Sequence, residues 1–242
     1  MKISVAQTNP VKGDIQKNIG NHKSLIAIAV SNNADIIIFP ELSITGYEPE
    51  LAKDLVTDID DNRFNDFQKL SIKENITIGI GAPLKADGGI TISMIIFQPD
   101  KPRLIYSKQH LHADEFPYFI SGHEQVILKF DSYTIAPAIC YELSVPEHSE
   151  NAYKLGAGIY IAGVAKTAAG VEKAHISLSG IAEKYSMTVF LSNCIGICDG
   201  VKCGGRSAVW NAKGVLLGEL NDSSEGILIF DTDSGELIKA TI

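Results

Sequence analysis

Short apolar segments alternate with helix-like windows along most of the chain, and this alternation limits the fold more than any other feature. The clearest segment is Ile36–Phe39, which is apolar throughout, rich in β-branched residues and ended by Pro40. A strand that is apolar at every position is typically buried on both faces. Residues 14–31 have helical spacing, with Asp14 as the predicted N-cap. We therefore predict an α/β fold with buried strands.

The number of predicted strands indicates two sheets rather than one. Besides 3–6 and 36–39, strands are predicted at 76–80, 92–97, 104–106, 126–130, 134–139, 159–162, 189–191, 208–210 and 227–230, with helices near 62–73, 146–155 and 172–187. Two sheets packed face to face, each covered by helices, would use all of these segments. Because no linker interrupts the pattern, we expect residues 1–242 to form a single domain.

Charge and apolar run length exclude several classes of protein. The chain has 21 Lys and Arg against 29 Asp and Glu, a net charge of −8, which argues against a nucleic acid or an anionic membrane as partner. We see no signal peptide and no run of about 18 apolar residues. Four cysteines are too few for a disulfide framework. We expect a cytoplasmic protein with no domain appended after Ile242.

Three reactive side chains come directly after apolar strands. Glu41 follows IIIFP, Lys108 follows LIYS and Cys140 follows TIAPAI. Ligand sites of α/β sheets lie at the carboxyl ends of strands, so one pocket could receive a carboxylate, an ammonium and a thiol. Taken singly, the cysteine is most simply a small buried residue, and the other two are most simply solvated loop residues. The combination is more informative than its members.

Three sequence blocks surround these residues: FPELSITGYEPE, YSKQHLHADEFPYFISG and ICYELSVPE. Their order and content resemble the signature blocks of the nitrilase, or carbon–nitrogen hydrolase, superfamily. The opening VAQTNPVKGDIQKN and the closing GGRSAVWNAKGVLL and EGILIFD are also similar to that family, so the resemblance covers nearly the whole chain. It implies a four-layer αββα sandwich of two mixed β-sheets covered by helices. It also implies a cofactor-free hydrolase, forming a homodimer or a larger assembly.

The resemblance implies a role for each reactive residue. Glu41 matches the general base, Lys108 the catalytic lysine, Cys140 the nucleophile and Glu115 the second glutamate found in many members. Such a set would cleave a non-peptide C–N bond of a small amide through a thioester, with Lys108 and the backbone N–H of Tyr141 stabilising the oxyanion. An N-carbamoyl amine or a nitrile remains an alternative substrate. A non-catalytic binder of small molecules on the same scaffold remains an alternative function.

Two positions depart from the family pattern. Glu142 and Ser144 stand where members commonly carry Asp and Arg. Without the arginine, the site lacks a guanidinium group that could bind a carboxylate, so we do not expect a dicarboxylate monoamide as substrate. The predicted substrate-contacting residues are Tyr47, Phe116, Tyr118, Tyr141, Ser144, Val145, Val164 and Ala165.

The remaining cysteines lie close together in the sequence. Cys194, Cys198 and Cys203 have the spacing C-x3-C-x4-C, which lacks the C-x2-C pair common in structural zinc sites. A fourth ligand could come from Asp199 or a distant histidine. We expect ordinary thiols beside a glycine-rich loop, and no metal. A metal-binding protein built on these cysteines is the less favoured alternative.

Histidines offer two further possibilities. His110, His112 and His123 lie within or beside the Lys108 block, and we expect surface or supporting histidines rather than metal ligands. His148 follows Cys140 by eight residues and could form a Cys–His dyad with it, although the glutamate base is favoured.

Overall fold

The computed structural model describes all residues from Met1 to Ile242. The strands are β1 Lys2–Gln7, β2 Ile36–Ile38, β3 Thr77–Ala86, β4 Gly89–Phe97, β5 Leu104–Ser107, β6 Leu128–Phe130, β7 Tyr133–Ile139, β8 Ile159–Val164, β9 Thr188–Asn193, β10 Ile195–Cys198, β11 Val201–Gly204, β12 Ala208–Trp210, β13 Leu216–Glu219, β14 Gly226–Asp231 and β15 Leu237–Thr241. The helices are α1 Ile15–Ser31, α2 Ala52–Leu55, α3 Asn65–Glu74, α4 Pro146–Lys154 and α5 Ala168–Tyr185, with 3₁₀ turns at Pro49–Leu51, Asn62–Phe64 and Cys140–Ser144.

Two mixed sheets hold most of the strands. The first has seven strands in the order β15-β14-β1-β2-β3-β4-β5, and the second has six in the order β13-β12-β9-β8-β7-β6. In the first sheet β1, β2 and β3 are parallel. In the second sheet β7, β8 and β9 are parallel. The outer strands of both sheets pair antiparallel, and β10 and β11 form a separate hairpin.

Alternating side chains create the layers. In the segment that includes β2, Ile36 and Ile38 join the core between the sheets, whereas Ile37 and Phe39 join the core beneath α1 and α3. Successive side chains of a strand point to opposite faces, so a fully apolar strand is filled on both sides. A third core lies between the second sheet and helices α4 and α5. The predicted four-layer αββα sandwich is confirmed.

The long helices begin at polar caps. The Asp14 carboxylate accepts a hydrogen bond from the backbone N–H of Lys17 at 3.0 Å, as predicted for the start of α1. Thr167 caps α5 by accepting from the N–H of Gly170 at 3.2 Å. None of the helices combines the length and apolar character that crossing a bilayer requires.

The two sheets come into contact at the carboxyl ends of their central strands. The hydroxyl of Ser192 donates to the carbonyl oxygens of Ala6, at 2.6 Å, and Ile38, at 3.1 Å. A Cβ atom on Gly163 would lie 2.8 Å from the carbonyl oxygen of Phe39, closer than real Cβ contacts allow. This close approach brings the segment after β2 against the end of β8.

Candidate active site

The loop after β2 carries Glu41 into the protein interior. A Cβ atom on Gly81 of β3 would lie 2.3 Å from the carbonyl oxygen of Pro40 and 2.4 Å from the nitrogen of Leu42, so only glycine permits this path. Leu42 adopts a φ of 49°, in the left-handed region. The resulting turn directs the Glu41 side chain inward, where it is buried.

Lys108 follows β5, and its side chain is fully buried. Its Nζ donates to Oε1 of Glu41 at 2.7 Å and to Oε1 of Glu115 at 2.6 Å. The lysine backbone is held on both sides: its N–H donates to Ile92 O at 2.8 Å, and its carbonyl accepts from Gly122 N at 2.7 Å. An ammonium between two buried carboxylates is therefore the centre of the site.

Glu115 is held by three donors from two segments of the chain. Its Oε1 accepts from the Tyr47 hydroxyl at 3.0 Å as well as from Lys108, and its Oε2 accepts from the His112 N–H at 2.8 Å. Every one of these partners donates, which suits an ionised carboxylate. Glu115 thus orients the lysine and links it to the cavity wall at Tyr47.

Cys140 directly follows β7 and is the first residue of the 3₁₀ segment Cys140–Ser144. Its φ of 46° is unusual for a residue other than glycine, and such strained positions cluster at functional sites. The turn is held by the buried carboxylate of Glu142, which accepts from Ile139 N at 2.7 Å and from Gln109 N at 2.6 Å. Glu142 therefore ties the cysteine turn to the segment that follows Lys108.

Burial and charge set the protonation states. Burial raises the pKa of Glu41, although the nearby ammonium of Lys108 opposes this rise. Burial and the Glu41 carboxylate raise the pKa of Cys140 to about 12, while Lys166, Lys108 and the backbone of Ala165 oppose that shift. Burial lowers the pKa of Lys108, but the charges around it outweigh burial, so its net pKa is raised. The resting site thus holds a thiol, not a thiolate, beside a charged lysine.

A cavity of about 280 Å³ opens beside the cysteine. It is lined by Tyr47, His112, Asp114, Glu115, Cys140, Tyr141, Ala165, Lys166, Thr167, Gly170, Cys198, Asp199, Val201 and Cys203. Tyr47, Tyr141 and Ala165 of the predicted substrate contacts are among these residues. The lining includes both acidic and basic groups together with two tyrosines, so it offers polar and apolar contacts to a small ligand.

The other predicted substrate contacts lie outside this lining. Ser144 is exposed at the end of the 3₁₀ segment, and Val164 is buried in the core beneath α4 and α5 because strand alternation turns it away from the cavity. The remaining three, Phe116, Tyr118 and Val145, are also absent from the lining.

Sequence reasoning missed several residues at the cavity. Lys166 comes two residues after the end of β8, so the strand-end rule that selected Glu41, Lys108 and Cys140 could also have selected it. Cys198, Asp199 and Cys203 reach the cavity through the β10–β11 hairpin. That hairpin was not predicted from the sequence.

His148 belongs to a different buried network. Its Nδ1 lies 2.8 Å from the Tyr160 hydroxyl and its Nε2 lies 2.7 Å from the Tyr106 hydroxyl, which itself donates to Glu142 at 2.6 Å. Burial lowers the pKa of His148 to about 3, so the ring is neutral. With both nitrogens occupied by tyrosines, the geometry gives no support to a dyad with Cys140.

A four-layer αββα sandwich that joins a glutamate, a lysine and a cysteine beside a small cavity defines the nitrilase-type class of fold and site. The family model described as "Carbon-nitrogen hydrolase" matches residues 2–241. The chain belongs to the carbon–nitrogen hydrolase family, and the predicted family membership is confirmed.

The curated relatives are distant in sequence. The glutamine-dependent NAD(+) synthetase of Thermotoga maritima is 24% identical over 252 residues, which cover 100% of this chain and 44% of that protein. Omega-amidase YafV of Yersinia enterocolitica is 25% identical over 164 residues, covering 67% of this chain and 62% of that protein. The matches therefore span less than two thirds of these two relatives. The "Hydrolase in agr operon" of Staphylococcus aureus is 25% identical and is covered over 93% of its length, with 98% of this chain.

A solved structure has the same fold. A mutant of the amidase from Nesterenkonia sp. AN1, described as showing Michael addition of acrylamide at its active-site cysteine, superimposes with a TM-score of 0.88. The match covers 97% of this chain and 94% of that chain at 22% sequence identity.

Proposed function

We propose that this protein hydrolyses the C–N bond of a small amide through a thioester on Cys140. The observation that carries the proposal is the position of Lys108 Nζ, 2.7 Å from Glu41 and 2.6 Å from Glu115, beside the cavity that contains Cys140. The proposal assigns general acid–base chemistry to Glu41 and charge stabilisation to Lys108.

In the first step, Cys140 Sγ attacks the amide carbonyl carbon while Glu41 accepts the thiol proton. The high pKa of Cys140 requires this coupling, because a free thiolate beside an ionised Glu41 would be strongly disfavoured. The raised pKa of Glu41 suits a group that must take up a proton and then return it. Glu41 then protonates the departing nitrogen, and ammonia or an amine leaves a thioester behind.

The tetrahedral intermediates carry a negative charge on oxygen. The ammonium of Lys108 has three N–H donors, and the two carboxylates take two of them, which leaves the third for the oxyanion. Tyr141 is the second residue of the 3₁₀ turn that begins at Cys140, where early backbone N–H groups lack intrahelical acceptors. We assign this N–H as the second oxyanion donor.

In the second step, water attacks the thioester carbonyl while Glu41 accepts one proton from it. Collapse of the intermediate breaks the C–S bond, the sulfur regains a proton from Glu41, and the carboxylic acid departs. Glu115 is assigned a positioning role because it bonds Lys108 and Tyr47 together.

The cavity supports a small substrate. Its volume of about 280 Å³ is at the small end of ligand sites. Tyr47 contributes an aromatic wall, and Lys166 contributes a cation that could meet a polar or anionic end of the acyl group. The names of two relatives, an omega-amidase and an amidase, agree with amide chemistry. We propose a short-chain amide, with Tyr47 as a substrate contact.

Ammonia release from a panel of substrates tests the proposal. The panel contains acetamide, propionamide, butyramide, an ω-amide of a short dicarboxylate, an N-carbamoyl amine and a nitrile. We expect turnover of an amide, a loss of roughly 10²–10⁴ in kcat for Glu41→Gln, and no turnover by Cys140→Ala. Glu147→Gln, an exposed glutamate on α4, is the matched control and should keep wild-type rates. Selective turnover of the carbamoyl amine or nitrile would refute amide specificity, and activity in Cys140→Ala would refute thioester chemistry.

Location and assembly also remain proposals. We propose a homodimer or larger homo-oligomer, supported by the family resemblance. We also propose a cytoplasmic location and a single domain over residues 1–242. Light scattering after size exclusion would measure the mass of the assembly. Cell fractionation would test the location, and limited proteolysis would test for an internal domain boundary.

A further inference from the structure

Three cysteines outside the catalytic set meet in the folded chain. The sulfur atoms of Cys194, Cys198 and Cys203 all lie within 4.8 Å of one another, and all three residues are buried. The sulfurs of Cys194 and Cys198 are 3.5 Å apart. The cluster packs against Tyr47 and Ala165, both of which line the catalytic cavity.

The β10–β11 hairpin explains why these residues meet. Cys198 pairs with Val201, and Cys203 pairs with Gly196, so Cys198 and Cys203 are diagonal neighbours across the two strands. Cys194 directly precedes β10, and its carbonyl accepts from Gly205 N at 3.0 Å, which brings it to the end of the same hairpin. The sequence spacing lacks a C-x2-C pair, but the register of the hairpin brings the cysteine side chains together instead.

We propose that Cys194, Cys198 and Cys203 form a binding site for a thiophilic metal cation, with Zn²⁺ as the reference ion. Three thiolates about 2.3 Å from a zinc ion lie roughly 3.8–4.0 Å apart, within the spread of the sulfur positions here. The donor set contains sulfur alone, which favours Zn²⁺ or Cu⁺ over Mg²⁺ or Ca²⁺.

The surroundings also suit a metal thiolate. The three cysteines pack together against Tyr47 and Ala165, so the site is enclosed by protein on most sides. Metal binding replaces the three thiol protons, which pass to solvent. Three thiolates and one Zn²⁺ leave a net charge of −1, and Lys166 lies on the wall of the same cavity.

The fourth coordination position of the bound ion would face the catalytic cavity. Cys198 and Cys203 line the cavity, whereas Cys194 does not, so the cluster opens towards the space beside Cys140. A water molecule from the cavity would complete a tetrahedral zinc site. The bound ion would therefore stand in the wall of the catalytic cavity without using Cys140 as a ligand.

Zinc binding by the intact protein tests this site. The chelator-treated chain, kept reduced with a phosphine, is dialysed against Zn²⁺, and bound zinc is measured by elemental analysis. We expect one zinc per chain in the wild type and in Cys140→Ser. We expect at least roughly tenfold weaker binding in Cys194→Ser and Cys203→Ser. Circular dichroism checks that each variant is folded.

A spectroscopic measurement on the unmutated chain keeps the test independent of variant folding. Cd²⁺ should produce an ultraviolet thiolate-to-metal charge-transfer band that saturates at one ion per chain. Tighter binding of Cu⁺ than Zn²⁺ in competition would identify copper as the preferred ion of the same site. Absence of stoichiometric Zn²⁺ and Cd²⁺ binding, or loss of binding in Cys140→Ser alone, would overturn the proposal. Neither readout needs amide hydrolysis, so the result does not depend on the proposed function.

Discussion

Replacing Lys108 with Met removes the charge at the centre of the site while retaining much of the side-chain volume. Lys108 is the ion-pair partner of both Glu41 and Glu115, at 2.7 and 2.6 Å, and all three side chains are buried. In Lys108→Met, two carboxylates would remain inside the protein without their cation. Removing one partner of a buried ion pair lowers the stability of the fold much more than replacing both partners with apolar residues.

The expected loss of stability follows from the two ion pairs of Lys108, with Glu41 and with Glu115. At an effective dielectric constant of about 20, a pair of charges at such a distance attracts by about 6 kcal/mol. The variant avoids the cost of burying the ammonium, several kcal/mol, so the net loss is smaller than the two attractions together. We expect about 3–5 kcal/mol at pH 8, which lowers Tm by roughly 6–20 °C for a chain of this size.

The loss should depend on pH. Without Lys108, the pKa of the buried Glu41 rises further, because the lysine charge that opposes the effect of burial is lost. An acid whose folded pKa exceeds its unfolded pKa loses stability as pH rises through that window. The difference between Lys108→Met and the wild type should therefore be smaller at pH 5 than at pH 8. Amide hydrolysis should be lost at both pH values.

Urea unfolding at the two pH values measures this effect. Trp210 is the single tryptophan and is buried, so its fluorescence reports the transition. Lys154→Met is the matched control: its ion pair with Glu150, at 2.6 Å, is exposed on α4 and should contribute little to stability. A similar loss of stability in both variants at pH 8, or a Lys108→Met deficit that grows on acidification, would contradict this prediction.

Three further predictions concern pH and backbone. As pH increases, kcat/KM should rise at a pH above the ordinary glutamate pKa, because burial raises the pKa of Glu41. The pKa of Cys140 is raised to about 12, so a rise in kcat/KM near pH 8 from thiol ionisation would contradict this prediction. Gly81→Ala should lower both stability, by about 1–3 kcal/mol, and kcat, since its Cβ would lie 2.3 Å from a backbone oxygen; unchanged melting and turnover would contradict this. Burial lowers the pKa of His22 to about 3, so its stabilising contribution is complete above pH 6.5 and is lost towards pH 3; acid titrations should be flatter for His22→Gln than for wild type.

Much of the fold could be predicted because burial leaves a clear pattern. The apolar β2 segment and the Asp14 cap both appear where expected. By contrast, β11 and β13 combine exposed and small residues, such as Val201 and Gly218, and such edge strands carry no clear alternation. Helix α5 begins at Ala168, four residues before the predicted start, because Thr167 supplies a cap that periodicity alone does not reveal.

The site could be predicted only in part for a related reason. Glu41, Lys108 and Cys140 each follow a strand that is recognisable in the sequence. The cysteine cluster depends instead on the register of the short β10–β11 hairpin. Ser144 and Val164 fall outside the cavity because their direction depends on backbone geometry within a few residues, which residue type does not determine.

The proposed mechanism requires a covalent intermediate on Cys140, which intact-protein mass spectrometry can detect. The protein is mixed with the amide panel, quenched in acid within seconds and compared with Cys140→Ala. We expect a mass increase equal to the acyl group of one substrate. The increase should be absent from Cys140→Ala and should persist longer in Glu41→Gln if acylation still occurs. Amide turnover without any adduct in the wild type, or an identical adduct on Cys140→Ala, would contradict it.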